Sequence, residues 1–241
     1  MLQSSVYVGI SAQIALLRRL DTLANNLANQ GTAGYRAEQV TFSSIASAAT
    51  AEAVDFVSPG ATSVVRETGE LVQTGNPLDI AVRGEAWLAV ETPFGPAYTR
   101  DGRLTLTPTG ELRTSSGYKL LDPSGAPLQI NPQDGAIDIS AGGAVSQAGK
   151  QVAAVGLFRI DRTSTLERLA NGAFLSASPG EPMSEAEGGS IMQGYVERSN
   201  SNPILDMAKL IAVQRAFDSV STTIGMIETS HTDAIRALGG M

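Results

Sequence analysis

The sequence predicts an α+β protein in which helices at the two chain ends pair as a coiled-coil-like α-domain, with an all-β domain in the middle. Three observations carry this expectation. Between Pro203 and Leu238, the residues Leu210, Val213, Phe217, Val220, Ile224, Ile227, His231, Ala234 and Leu238 recur at spacings of three and four, which is a helical seam of about four heptads. Near the other end, Ile10, Ile14 and Leu17, followed by Leu16, Leu20, Leu23 and Leu27, repeat the same spacing. Between Glu70 and Gly194 the texture changes to short apolar runs separated by turn residues such as Asp101-Gly102, Pro108-Thr109-Gly110 and Pro123-Ser124-Gly125, the signature of short strands.

These textures divide the chain into an N-terminal helix within residues 1–40, an Ala/Ser/Thr-rich connector at 41–69, an all-β domain at 70–194 and a C-terminal helix within 195–241. The C-terminal helix has a marked start, because Asn202 is a good N-cap and Pro203 suits the first helical position, where no N–H is needed. At 1.5 Å per residue it should reach roughly 50 Å. Its face away from the seam carries only Asp218 as a charge between Ala216 and Ile227, whereas a solvated face normally carries Lys and Glu. That face is therefore expected to be covered as well. The connector has few large apolar residues and is broken by Pro59-Gly60, so an extended segment that packs only in context is expected.

At the N-terminus, residues 1–17 hold no charge, and Arg18 and Arg19 follow the apolar run. A secretory signal has the opposite order, and polar residues Ser4, Ser5, Ser11 and Gln13 interrupt any membrane span, so neither is expected. The helix closes on Leu23-Ala24-Asn25-Asn26-Leu27-Ala28-Asn29-Gln30-Gly31. Asparagine is a poor helix former, and at 100° per residue Asn25 and Asn29 point away from the leucine stripe. They read as hydrogen-bonding groups for neighbouring chains, although Asn29 and Gly31 also fit a simple C-terminal cap.

Composition and inventory exclude several function classes. A net charge of −7 and a pI near 4.8 argue against nucleic-acid binding, which needs a basic face. The chain has no cysteine and one histidine, His231 at a seam position, so disulfides, thiolate metal sites and a histidine general base are not expected. There is no Gly-x-Ser-x-Gly elbow and no Gly-Lys-Ser/Thr phosphate loop. Asp134 and Asp138 are a weak basis for a calcium site or a glycosidase pair, and Trp87 lies in an apolar run that reads as core. The expectation is a protein without catalysis, cofactor or metal.

Two separated motifs carry a family resemblance. The run Leu23-Ala24-Asn25-Asn26-Leu27-Ala28-Asn29 with Thr32, Gly34, Tyr35 and Arg36 resembles the N-terminal signature of bacterial flagellar rod and hook proteins. Ser199-Asn200-Ser201-Asn202-Pro203, then Met207, Leu210, Ile211 and Gln214-Arg215-Ala216-Phe217, resembles their C-terminal signature. The β region adds Thr74-Gly75-Asn76-Pro77-Leu78-Asp79-Ile80-Ala81-Val82, Gly84, Tyr98-Thr99-Arg100 and Gly102, and departs from the family at Glu85-Ala86-Trp87-Leu88.

The resemblance implies a structural subunit of the flagellar basal-body rod that polymerises helically, transmits torque to hook and filament, and is required for motility. Chain length and one modest β-domain favour a proximal-rod member; the alternatives are a distal rod protein or hook-type axial protein, or, from another class, a β-domain adhesin or binding module on a helical stalk. The implied partners are further copies of the chain, other rod proteins and the flagellar type III export apparatus, with no nucleic acid and no membrane insertion. The implied location is the rod spanning the periplasm, reached without a cleaved signal peptide. The expected assembly residues are Leu20, Leu23, Asn25, Asn26, Leu27, Asn29, Asn200, Asn202, Leu210, Gln214, Arg215, Phe217, Val220, Ile224 and Ile227.

Overall fold

The structure is a computed structural model describing residues 2–47, 54–169 and 172–239. Helices stand at the two chain ends and strands fill the middle, so the α+β class holds. The chain divides into two compact units, a helical unit of residues 1–28, 37–65 and 202–241 and a β-unit of residues 29–36 and 66–201.

In the helical unit, α1 (Leu2–Ala28) and α2 (Pro203–Gly239) lie side by side. Gln13 Nε2 donates to Ser221 Oγ at 2.7 Å, while a Cβ on Gly9 would stand 2.9 Å from Ile224 Cγ1. Position numbers fall on α2 as they rise on α1, so the helices run antiparallel. Gly9 permits the close approach, since any larger residue would have to displace Ile224. Asn202 starts α2 as expected, its Oδ1 accepting the Leu205 amide at 3.1 Å and its carbonyl accepting the Asp206 amide, which satisfies donors that a helix start leaves open.

Residues 38–47 and 54–64 form a β-ribbon. Strand β1 (Glu38–Thr41) pairs with β4 (Ala61–Val64), and inside them β2 (Ser44–Ser47) pairs with β3 (Val54–Val57), all antiparallel. The stretch read from sequence as a connector at 41–69 thus holds paired strands. Its few large apolar residues, such as Val40, Phe42, Phe56 and Val64, stand among Ala, Ser and Thr, which suits a ladder whose order comes from backbone pairing more than from a core. The ribbon is tied to α1 through Arg18 Nη1, which donates to the Pro59 carbonyl, and Ser11 Oγ, which accepts the Val57 amide.

The β-unit contains β5 (Leu71–Gln73), β6 (Ile80–Arg83), β7 (Ala86–Thr92), β8 (Gly95–Thr99), β9 (Leu104–Leu106), β10 (Leu112–Thr114), β11 (Lys119–Leu120), β12 (Ile137–Ile139), β13 (Ala144–Gln147) and β14 (Lys150–Ala154). It continues with β15 (Leu157–Arg159), β16 (Leu166–Arg168), β17 (Phe174–Ser176), β18 (Glu181–Pro182), β19 (Ser190–Gln193) and β20 (Tyr195–Glu197). The main sheet runs β16-β17-β8-β7-β11-β10-β9, with β15 joining β7 and β18.

Strand β7 is the hub of this sheet. Its first half pairs with β15, with Leu88 opposite Leu157, and its second half with β11, with Val90 opposite Leu120, while β8 runs along its other edge. Because it is covered on both faces, every residue of β7 except Glu91 is buried. Its near-continuous apolar run is what such a position requires. The core around it joins Ile80, Val82, Leu88, Val90, Leu112, Leu120, Val145 and Val155, all almost fully buried. Small sheets β6/β19, β5/β20 and β12-β13-β14 complete the unit.

Candidate assembly site

Within the helical unit, each long helix has one covered stripe and one bare one. On α2 the covered stripe is Leu210, Val213, Phe217, Val220, Ile224 and Ile227, with Val213 buried and the others half-buried. Beyond Ile227 the seam spacing continues through His231, Ala234 and Leu238, yet these residues are exposed. On α1, Ala15 and Leu23 are buried and Leu16, Leu20 and Leu27 half-buried.

The opposite side of α1 carries Tyr7, Ile10, Ile14 and Leu17, exposed at 62%, 40%, 53% and 46%. Their spacing of three, four and three places them within one narrow arc of the helix. Ile10, Ile14 and Leu17, grouped in the sequence with the leucine seam, therefore belong to a second face. On α2 the corresponding bare stripe is Ile204, Met207 and Ile211, also exposed. Apolar stripes of this kind, left open on a folded chain, mark contact surfaces.

The asparagines divide by environment. Asn26 is buried, and its amide closes a two-way bond with the Glu38 backbone: Nδ2 donates to the Glu38 carbonyl at 2.8 Å and Oδ1 accepts the Glu38 amide at 2.9 Å. It joins α1 to the ribbon inside the chain. Asn25, one residue earlier, is exposed, as are Gln214 and Arg215. In the β-unit, Asn29 Oδ1 accepts the Thr32 hydroxyl at 3.2 Å, and Asn200 Nδ2 donates to the Glu67 carbonyl at 2.8 Å. Asn26 and Asn200, expected from sequence to reach neighbouring chains, thus place these bonds within their own chain.

The β-unit also contains a cluster that sequence reasoning did not find. Glu197, at the end of β20, is 1% exposed. Its Oε1 accepts Arg36 Nη1 at 2.5 Å and the Gly69 amide at 2.8 Å, its Oε2 accepts Arg100 Nη1 at 3.2 Å, and its carbonyl accepts the Gly34 amide at 2.7 Å. Arg100 also donates to the Val82 and Gly84 carbonyls at 2.9 and 2.6 Å. Both guanidinium groups lie over the Trp87 ring, at 5.7 Å for Arg36 and 5.3 Å for Arg100, where the ring's negative face favours a cation. Phe174 meets the same ring edge-on at 5.7 Å.

Two cations and one anion leave this cluster with an excess positive charge in a dry setting. Burial pulls Arg100 down to about 10, opposed by Glu197 and reinforced by repulsion from Arg36. Arg36 is lowered too, again chiefly by burial and against the pull of Glu197. Both remain protonated at neutral pH, so the ion pairs persist there. Gly34, at φ 67°, lets its segment lie directly on the Arg100–Asp101 backbone, where any Cβ would collide. The sequence signal for the cluster was thin: Arg36 and Arg100 fall within the quoted motifs, but nothing in the sequence pairs either with Glu197.

Comparison with known proteins assigns these elements to a family. Residues 6–36 match a profile described as flagella basal body rod protein, residues 81–147 one described as flagellar hook protein FlgE/F/G D1 domain, and residues 192–237 one described as flagellar basal body rod FlgEFG protein C-terminal. The flagellar basal-body rod protein FlgF of Rhizobium meliloti (strain 1021) is 43% identical, with 99% of each chain covered. The chain belongs to the FlgF family of flagellar basal-body rod proteins. The FlgF of Mesorhizobium japonicum is 41% identical, again over 99% of each chain. The flagellar basal-body rod protein FlgG of Bacillus subtilis is 29% identical, covering 91% of this chain and 93% of the other. As in FlgF, the role is structural, a subunit of the basal-body rod, and not enzymatic. The matched regions at the two ends run from within α1 to Arg36 and from the end of β19 through most of α2, so each includes one charged member of the buried cluster.

Proposed function

We propose that this rod subunit occupies the proximal rod and polymerises helically with its own copies and other rod proteins, passing torque from motor to hook and filament. In this reading α1 and α2 act as a coiled-coil-like pair, and the domains follow the sequence division: an axial α-domain from the two chain ends, the 41–69 segment, and a β-domain. The chain reaches the periplasm-spanning rod through the flagellar type III export apparatus without signal-peptide cleavage. Leu20, Leu23, Leu27, Leu210, Phe217, Val220, Ile224 and Ile227 align the helix pair, while Asn25, Asn29, Asn202, Gln214 and Arg215 contribute polar contacts at its ends and outer faces.

The observation that carries the reading is the bare α1 stripe, Tyr7, Ile10, Ile14 and Leu17. A neighbouring subunit's helices would remove that apolar area from water, at about 25 cal/mol per Å². Ile14→Asp in the full-length chain tests it. The variant should keep the far-ultraviolet circular dichroism of the parent monomer, because Ile14 lies outside the intrachain seam, yet leave cells non-motile with basal bodies lacking the subunit. Normal motility would refute the role given to this face.

A further inference from the structure

We propose that Glu197 is the positioning residue through which this subunit bears load, a reading that rests on the structural rod role above. Three stretches of the β-unit adjoin the helical unit in sequence: residues 29–36, the stretch opening at Arg66, and the stretch closing at Ser201. All three meet at one buried residue, Glu197. Arg36 and Gly34 bring the first stretch, Gly69 the second, and Glu197 itself belongs to the third. Around it, Arg36 Nη1 donates to the Glu67 carbonyl at 2.8 Å, Asn200 Nδ2 donates to the same carbonyl, the Asn200 amide bonds the Tyr35 carbonyl at 3.3 Å and the Arg198 amide bonds the Glu70 carbonyl at 2.8 Å.

The consequence is mechanical. Tension between α1 and α2 has two routes through the chain: the covalent one along residues 37–196, or the short one from Arg36 across the ion pair to Glu197. While the cluster holds, the short route carries the force and the β-core is shielded from it. The chemistry suits that task, since the bonds are charge-assisted, short and withdrawn from water. Arg36 is the part that can be removed without dismantling the rest, because Arg100 and Glu197 remain a neutral pair that also holds the Val82 and Gly84 carbonyls.

Single-molecule pulling on the full chain tests this. The chain has no cysteine, so Arg19→Cys and Lys209→Cys, both at exposed positions, provide unique handles on the two helices. After the helices separate, the parent should show a force-resistant state; its loss should free residues 37–196, adding up to roughly 560 Å of chain at about 3.5 Å per residue. Arg36→Gln should shorten the lifetime of that state at constant force by about tenfold or more, with hydrogen-exchange protection of β7 and β8 retained. If Arg36→Gln instead loses that protection, Asn200→Ala decides, with a shortened lifetime expected. Unchanged lifetime in Arg36→Gln with protection retained, or in Asn200→Ala otherwise, overturns the proposal. Because no rod is present in the measurement, its failure is separate from failure of the assembly reading, which the Ile14→Asp motility assay addresses.

Discussion

The amide of Asn26 acts as a replacement strand for Glu38, offering one donor and one acceptor to the two backbone groups of that residue. Removing it leaves both groups without these partners in a part-buried place, whereas Asn25 is exposed. Asn26→Ala should therefore destabilise the helical unit by about 1 to 3 kcal/mol, and Asn25→Ala by less than about 0.5 kcal/mol. Urea unfolding followed by ellipticity at 222 nm measures both, and equal effects would contradict the assignment. The contrast was not legible in the sequence, where the two asparagines are adjacent and equally unfavourable to a helix; what separates them is the position of Glu38, twelve residues on. Glu197 was hidden for a related reason. A charged residue reads by default as surface, and its partners Arg36 and Arg100 are 161 and 97 positions away.

At the level of elements, periodicity was a sound guide wherever a covered face persists over several turns, as from Leu210 to Ile227 on α2, and turn residues located the β texture. It was silent on the ribbon at 38–47 and 54–64, where small residues pair through their backbones and leave little apolar alternation to read. It also gave equal weight to His231, Ala234 and Leu238, although these residues are exposed. Local strain is equally hard to read from sequence. The β13–β14 hairpin turns at Ala148 and Gly149, with φ of 48° and 75°, a geometry that asparagine and glycine adopt readily and alanine does not. Ala148→Asn should raise the stability of the β-unit by about 0.5 to 1 kcal/mol, read as a higher denaturation midpoint by Trp87 fluorescence. A lower midpoint would show that the turn draws its stability from elsewhere.

For the whole molecule, burial is unevenly shared. Among the described residues, the buried apolar side chains of the helical unit are Ala15, Leu23, Ala37 and Val213, while the β-unit buries the remainder, from Tyr35 to Ile191. Long helices with so little covered surface are marginal on their own, and under the proposed assembly neighbouring subunits would supply the missing burial. The monomer should accordingly unfold in two steps that separate probes can resolve. Trp87 is the sole tryptophan and lies in the β-unit, so its fluorescence follows that unit alone, whereas 222 nm ellipticity is dominated by α1 and α2. Heating should lower the ellipticity first and change the fluorescence later. Val213→Ala, which removes two methyl groups from the buried position of the covered seam on α2, should move the first step down by several degrees and leave the second in place. A single transition seen at the same temperature by both probes, shifted as one by Val213→Ala, would mean that the two units fold as one cooperative body and that assembly is not what completes the helical unit.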